Sequence, residues 1–396
     1  MIKKTDLLFD VVFAILLFSL PLSMAIPNLA LVLLLLLFFI KKERVFSSNF
    51  YIKLVVIFIG FLILKALLNS AFLTNFNLYK HLLIIPILSV LSINIKNTSM
   101  VKQGFILGVF LAVIISLIQI LGYYFIHKTI PLGNTSEANQ LLLIHRPYFG
   151  FLCVLGVLVI DILKKDAQNK TLKRCYNFIG LLFLFFIIII AARLSLFLIV
   201  LFLFVKGIHK YRFSKRKQIF TIVVFLGTVT GIFLLNENIK ERFHIKNSLQ
   251  ETIKVIKNQE PRFVIWNCVF SQVSSPQFNV FLGFKNVKTI QTNLNECYDQ
   301  RIENVSKKHY YLATEFNTHN QFFDIFLQGG IIGLFLFLCL FGYSFYFFRS
   351  DTMSTLTVLS FFLFGVFENI FHRQLGVYLF AIFISLLHNK ITVKKG

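Results

Sequence analysis

Residues 319–324 read His-Asn-Gln-Phe-Phe-Asp and stand where the longest polar segment of the chain ends and a new apolar run begins. His319 therefore lies at a predicted boundary between water and lipid. An imidazole titrates near neutral pH, so this side chain can accept a proton from a substrate or return one. We take His319 as the candidate catalytic base.

Two arginines are candidates for binding an anionic substrate. Arg193 interrupts an apolar stretch, where a charge is costly and is usually kept for a function, although an arginine reaching out of a tight turn would look the same. Arg262 stands four residues before Trp266, the single tryptophan, and Phe263, Trp266 and Phe270 fit one face of an amphipathic helix at the membrane. Guanidinium groups bind phosphate in a planar, bidentate manner, so Arg193 and Arg262 together would suit a diphosphate. The alternative for Arg262 is an ordinary surface arginine.

The remaining candidate residues have plain structural alternatives. Lys80 and Arg146 would also serve as interfacial anchors, and Glu368 with Arg373 as an ion pair near the membrane. The glycines of residues 329–333 have the spacing of close helix packing.

These residues must be positioned by membrane helices. The chain has 396 residues, of which 57% are hydrophobic and 14% charged, and its mean hydropathy is +0.77. A soluble domain carries roughly a quarter charged residues, so the composition predicts an all-α polytopic membrane protein. The net charge of +23 is concentrated in short loops between apolar runs, which is a topology signal and argues against nucleic-acid binding.

A membrane span needs about 20 largely apolar residues, and about twelve such spans are predicted. They are residues 7–24, 25–40, 51–69, 79–95, 103–126, 147–163, 176–191, 193–208, 219–235, 324–348, 354–371 and 375–387. The predicted division is therefore 1–235 with the first nine spans, a large polar segment at 236–323, and 324–396 with the last three. Basic loops fall on the side of the N-terminus, which predicts cytoplasmic termini and a polar segment outside. No cleavable signal peptide is recognised.

The five cysteines are scattered and form no CxxC or Cys/His cluster, so no metal and no cofactor is predicted. Cys268 and Cys297 share the polar segment and would be able to pair in an oxidising compartment.

The ordered set of motifs resembles the O-antigen ligase family, grouped with the O-antigen polymerases. Ligases of this family carry a His followed by Asn, Ser or Gln. After nine further residues comes a Gly, and after two more comes Gly, Thr or Tyr. In this chain His319-Asn320, Gly330 and Gly333 fit the spacing. The family also has an Arg at an outer turn and an Arg shortly before a Trp, which Arg193 and Arg262 match. The stretch from Glu368 to Gly376 is similar to its penultimate hairpin, whereas Ala192 replaces a common Ser and Gly283-Phe284 keeps one Gly of a common pair.

The resemblance implies a glycosyltransferase of the C-type membrane fold in the bacterial inner membrane, with its site facing the periplasm. The donor would be a glycan on undecaprenyl diphosphate and the acceptor a sugar hydroxyl of lipid A–core. His319 would act as the base in an inverting, metal-independent transfer, and Arg193, Arg262 and Lys80 would bind the diphosphate. Asn320, Gly330, Gly333, Arg146, Glu368 and Arg373 would support the site.

Two other functions are compatible with the same residues. A polymerase would join lipid-linked repeat units instead of using lipid A–core. A transporter for anionic lipid-linked sugars would also need an outward cationic cavity, but the two halves of the chain show no internal repeat of the kind that many transporters have. The sequence is silent on the sugars and on the oligomeric state.

Overall fold

A computed structural model describes residues 4–46, 49–69, 72–129, 139–210 and 260–395, together with single residues between 214 and 248. The ninth predicted span, residues 219–235, and the first part of the polar segment, residues 236–259, thus lie essentially outside the described residues. Within the described ranges the protein is almost entirely helical, which confirms the all-α prediction.

The helices of the described chain fall into two sets of contacts. The first set is α1 (Lys4–Ser19), α2 (Ala25–Ile40), α6 (Thr98–His127), α7 (Arg146–Asp166), α8 (Lys170–Ile189) and α9 (Arg193–Lys210). The second set has α3 (Phe50–Leu67), α4 (Phe72–Tyr79), a 3-10 turn (Lys80–Leu83), α5 (Ile84–Ile93), α10 (Pro261–Val273), strands β1 (Phe278–Asn279) and β2 (Gly283–Phe284), α11 (Lys288–Arg301), α12 (Val305–Thr314), α13 (Gln321–Phe348), α14 (Thr352–Phe367), a second 3-10 turn (Ile370–His372) and α15 (Gln374–Lys395).

Five of the described helices are long and apolar enough to cross a membrane. They are α3, α6, α7, α8 and α13, and four shorter apolar segments accompany them at Ala25–Ile40, Lys80–Ile93, Thr352–Phe367 and Gln374–His388. These helices carry the membrane character that the composition predicts. The number of crossings, twelve, stays a prediction.

The chain forms two compact units that are not continuous in sequence. The first comprises Met1–Lys41 and Ile95–Ile256, and the second comprises Lys42–Asn94 and Lys257–Gly396. In the first unit α7 is almost wholly buried and packs against α6, α8 and α9. In the second unit α13 packs against α3, α14 and β2, and α15 packs against α5.

One part of the second unit departs from the predicted layout. Residues 73–77, expected as a loop between spans, belong to the short helix α4. The reason is tertiary, because the Asn75 side chain donates to Lys285 O at 2.8 Å and accepts from Val287 N at 3.0 Å. These bonds anchor α4 to the segment after β2, a contact between residues more than 200 positions apart that no local pattern reveals.

Helix α13 is broken at Gly330, within the first third of what the sequence predicts as one continuous span. Gly330 has φ +62° and ψ −161°, a conformation that essentially only glycine adopts. The freed donors are satisfied by the β-hairpin loop, since Ile331 N and Ile332 N donate to Val280 O at 2.8 Å and Phe281 O at 3.4 Å. Irregular backbone at membrane depth needs such internal partners.

A buried lysine donates hydrogen bonds to backbone carbonyls beside the break in α13. Lys65, on α3, donates through Nζ to Phe284 O at 2.7 Å and to Gln328 O. Gly329 and Gly333 face Phe61 of α3, where a β-carbon would stand 3.3 Å from the ring. The glycines therefore have two structural roles. Gly330 allows the kink, and Gly329 and Gly333 allow close contact with α3.

Candidate functional site

His319 is held in an unusual backbone conformation directly before α13. Its φ is +44°, in the left-handed region, and its N–H donates to Asn317 Oδ1 at 3.0 Å. Asn320 follows in an extended conformation and caps the helix, accepting from Phe322 N at 2.9 Å and Phe323 N at 3.0 Å. A side-chain oxygen at this position satisfies donors that have no partner inside the helix. Asn320 thus fixes where α13 begins, and His319 is displayed immediately outside it.

The loop before His319 is fastened from two sides. Thr318 and Asn369 exchange side-chain hydrogen bonds of 2.9 and 3.1 Å. The indole of Trp266 donates to Thr318 O at 3.2 Å and packs edge-on against Phe323. The tryptophan predicted to lie on an amphipathic helix therefore also positions the loop, while Phe263 and Phe270 of the same helix are exposed.

Glu368 joins His319 to Arg262. Its carboxylate accepts from Arg262 Nη2 at 2.8 Å and lies 3.4 Å from His319 Nδ1. The Glu368 side chain is only 10% exposed, so its charge has little help from water. Burial by itself raises the pKa of this carboxyl, but His319, Arg262 and Arg373 outweigh it and hold the pKa below its ordinary value. Glu368 is thereby kept as an anion beside the imidazole.

Arg262 is bound on several sides. Besides Glu368 it donates from Nη1 to Glu260 Oε1 at 2.6 Å, and from Nε and Nη2 to Phe367 O at 3.2 and 3.0 Å. Two carboxylates thus compensate the positive charge of one guanidinium. The sequence predicts Arg262 only as a cation that binds phosphate, and does not predict these two partners. One of the two N–H groups of Nη1 has no hydrogen bond within the described residues, and the side chain is 23% exposed. Arg262 orients Glu368 and keeps one donor for a ligand.

The arrangement suits general base catalysis at His319. A carboxylate against Nδ1 favours the imidazole with its proton on that nitrogen and stabilises the imidazolium that forms after proton uptake. The other nitrogen, Nε2, has no hydrogen-bond partner among the described residues, and a quarter of the side chain is exposed. Nε2 is therefore the atom that can accept a substrate proton.

A second polar cluster lies on the same helix, one turn further along. Asp324 Oδ2 accepts from His372 Nε2 at 2.9 Å and from Gln328 Nε2 at 2.8 Å, and Gln321 Nε2 is 3.4 Å away. Gln321, Asp324 and Gln328 are buried and follow each other at helical spacing on one face of α13. Partial burial of His372 opposes a charge on its ring, but Asp324 outweighs it and raises the pKa of His372.

The other predicted site residues are distributed over both units. Lys80 is exposed at the first 3-10 turn, and Arg373 is exposed after the second, from where its charge acts on Glu368. Arg146 and Arg193 belong to the first unit. Arg146 is 2% exposed at the start of α7, and Arg193 is half-buried at the start of α9, after Ala191 with φ +47°.

The structure thus brings together His319, Glu368, Arg262 and the charge of Arg373. It also adds residues that sequence reasoning missed: Glu260, Asn317, Thr318, Asn369, Gln321 and Gln328. A polar stripe at 321, 324 and 328 in an otherwise apolar run was a usable signal for the last two. The contacts of Asn317 and Asn369 come from the folded loops and have no sequence pattern.

Two further findings bear on the site. In the part of the chain that the structure describes, no group of three or more His, Cys, Asp or Glu residues could hold a metal ion. In comparisons with known proteins, no family model and no curated protein matches the chain. What the fold and the site define is a class: a helical protein of membrane type with an imidazole–carboxylate–guanidinium site at the start of one long apolar helix.

Proposed function

We propose that the protein is a membrane glycosyltransferase of the O-antigen ligase type. It transfers a glycan from undecaprenyl diphosphate to a sugar hydroxyl of lipid A–core at the periplasmic face of the bacterial inner membrane. The observation that carries the proposal is the contact of His319 Nδ1 with Glu368, which leaves Nε2 available, at the position where the ligase motif has its histidine.

The proposed reaction is an inverting displacement. The acceptor hydroxyl oxygen forms a bond to the anomeric carbon of the donor while the bond from that carbon to the diphosphate oxygen breaks. Nε2 of His319 takes the hydroxyl proton, and the lipid diphosphate leaves as an anion. Lys80 and the remaining N–H of Arg262 would bind the phosphates and stabilise the charge that develops on them. Arg193 is proposed as a further phosphate ligand from the resemblance alone.

Several features support the proposed topology. Cys268 and Cys297 are disulfide-bonded between α10 and α11, which suits an oxidising compartment such as the periplasm. The basic loops favour cytoplasmic termini. Twelve spans and a C-type glycosyltransferase fold are part of the same proposal, with lipid as surroundings and no cofactor needed.

The experiment is the glycolipid profile of a strain that lacks the gene, complemented with the wild type, His319→Ala or His309→Ala. His309 is an exposed histidine on α12 and serves as the matched control. We expect core lipid without O-antigen, with polymer retained on undecaprenyl diphosphate, in the deletion strain and with His319→Ala, and full attachment with His309→Ala. Normal attachment with His319→Ala, at equal protein level in the membrane, would refute the assignment.

The same profile separates the alternative function. Core lipid that carries one unpolymerised repeat would identify a polymerase, which would use the same base on a lipid-linked acceptor. Binding of the lipid-linked donor tests the arginine: Arg193→Ala should weaken it, and unchanged binding would remove Arg193 from the phosphate site.

A further inference from the structure

A small cavity in the second unit takes no part in the proton transfer described above. Its volume is about 80 Å³. The polar side chains around it are Tyr79, His81, Gln321, Asp324, Gln328 and His372, and Leu82, Ile325 and Phe371 complete the wall. A cavity of this size holds a few water molecules or one short branch of a ligand, and is too small for a whole sugar ring.

The polar groups of the wall suit a neutral ligand that both donates and accepts hydrogen bonds. Asp324 is an acceptor, the amides of Gln321 and Gln328 offer both functions, and the imidazole of His372 already balances the carboxylate at 2.9 Å. The described lining contains no lysine or arginine. A phosphate would find no cation there, whereas a hydroxyl group would find partners for its proton and for its lone pairs.

Tyr79 supplies an independent sign that a ligand belongs here. Its side chain is 1% exposed, and its hydroxyl has no hydrogen-bond partner among the residues that the structure describes. Burying a hydroxyl without a partner is unfavourable, and such groups are rare in folded proteins. The cavity that Tyr79 lines is the place from which a partner can come.

The cavity is connected to the candidate base by one side chain. Asn317 Nδ2 lies 3.4 Å from His372 Nδ1 in the cavity wall, and Asn317 Oδ1 accepts the backbone N–H of His319 at 3.0 Å. Gln321, which also lines the cavity, accepts from Phe371 N at 2.7 Å and begins the helix that Asn320 caps. A ligand group in the cavity therefore touches residues that also set the position of His319.

We propose that this cavity is a subsite for a hydroxyl-bearing branch of the acceptor sugar, such as a hydroxymethyl group. Asp324, Gln328 and Tyr79 hydrogen-bond the hydroxyl, while the sugar ring stays outside and presents another hydroxyl to His319. This assignment rests on the proposed function, because it names the acceptor as a sugar. It makes the branch a determinant of which acceptors are used.

The test is equilibrium binding of small glycosides to the full chain in lipid nanodiscs, measured by saturation-transfer NMR without any donor. The probes are methyl glucoside and methyl galactoside, each beside its 6-deoxy counterpart. We expect at least one hydroxymethyl-bearing glycoside to bind and its 6-deoxy form to bind about tenfold more weakly, as the loss of one hydrogen bond implies. No binding of any probe, or equal binding of both forms, would overturn the subsite.

A pair of tyrosine variants gives the matched control. Tyr51 is also buried with a hydroxyl that lacks a partner within the described residues, but it does not line the cavity. Tyr79→Phe should weaken the glycoside about tenfold and Tyr51→Phe should leave it unchanged. Equal binding by the two variants would contradict the proposal.

The outcome is separable from that of the proposed function. His319→Ala should abolish transfer from the lipid-linked donor, while the preference for the hydroxymethyl-bearing glycoside over its 6-deoxy form persists. If the glycosides bind as predicted but the wild type transfers no glycan, the ligase function is refuted and the sugar subsite is still supported. Transfer by the wild type, with no discrimination against 6-deoxy acceptors, would refute the subsite alone.

Discussion

Two imidazole–carboxylate pairs lie near the start of α13, and their differences separate their roles. His319 meets Glu368 through Nδ1 at 3.4 Å, and Glu368 is also bound by the cationic Arg262. His372 meets Asp324 through Nε2 at 2.9 Å, and the other neighbours of Asp324 are the neutral amides of Gln321 and Gln328.

The decisive difference is the second nitrogen of each ring. His372 uses Nδ1 for Asn317, so both of its nitrogens are engaged, whereas Nε2 of His319 has no partner among the described residues. A base needs an accessible lone pair. The comparison favours His319 over His372 as the proposed base and leaves His372 as a fixed part of the neighbouring cavity wall.

The largest effect should come from removing the proposed base. His319→Ala should lower the rate of transfer on the order of 10²- to 10⁴-fold, the usual contribution of a general base. The assay is transfer from lipid-linked donor to lipid A–core in proteoliposomes, with His309→Ala as the control that stays at wild-type rate. A loss of less than tenfold would contradict the assignment of His319 as the base.

Neutralising the carboxylates should sharpen the contrast between the pairs. Glu368→Gln should lower kcat on the order of 10²-fold, because the imidazolium loses its anionic partner. Asp324→Asn should mainly raise the KM for the acceptor, by about tenfold, since Asp324 would hydrogen-bond the acceptor in the proposed subsite. Steady-state kinetics with the two variants side by side decides this, and the reverse pattern of kcat and KM would contradict it.

Both pairs depend on the geometry of α13, which a glycine controls. Gly330→Ala should destabilise the protein by about 1–3 kcal/mol or more, since alanine disfavours this conformation and its β-carbon would meet the backbone of Phe281. Gly342→Ala, in the same helix with open space around its Cα, should be neutral or stabilise by up to about 1 kcal/mol. Thermal unfolding in detergent measures both, and equal melting temperatures would show that the break at Gly330 is not required.

The smallest effect is on pH dependence, where the pairs should respond in opposite directions. The raised pKa of His372 means that its stabilisation is present below the ordinary value of 6.5 and is lost as the pH rises through the raised pKa. Because the pKa of Glu368 is lowered, its carboxylate stabilises the folded protein at pH values above the ordinary pKa of 4.5. This stabilisation is lost as the pH falls through the lowered pKa. We expect the plot of melting temperature against pH to flatten in the first window for His372→Gln and in the second window for Glu368→Gln. A variant with the same pH dependence as the wild type would argue against the pair that it disrupts.

Much of the helical layout follows from local sequence patterns. The second predicted span and α2 share the limits 25–40, because a continuous apolar run that ends at Lys41 and Lys42 specifies an apolar helix from local sequence alone. His319 was also recognisable, from its place at a boundary. The break at Gly330 was not, because it depends on a hairpin loop and on Lys65, which lie far away in sequence.

The candidate site shows the same division. Arg262 was identified from its place before Trp266, and Glu368 as a possible partner of Arg373. The pairing of Arg262 with Glu368 joins residues 106 positions apart and has no local signature. Phosphate binding by Arg262 stays a prediction, and the structure adds that its guanidinium is shared by Glu260 and Glu368. No sequence pattern singles out Tyr79 beyond its place at the start of a predicted span, and only the cavity gives its buried hydroxyl a meaning.

The most direct test of the central claim is a double-mutant cycle on transfer with His319→Ala, Glu368→Gln and both together. If Glu368 acts by orienting His319, its loss should have little further effect once the imidazole is gone, so the double variant should be as slow as His319→Ala. If the two losses multiply, Glu368 acts independently of His319, and the proposed pair is not the catalytic unit.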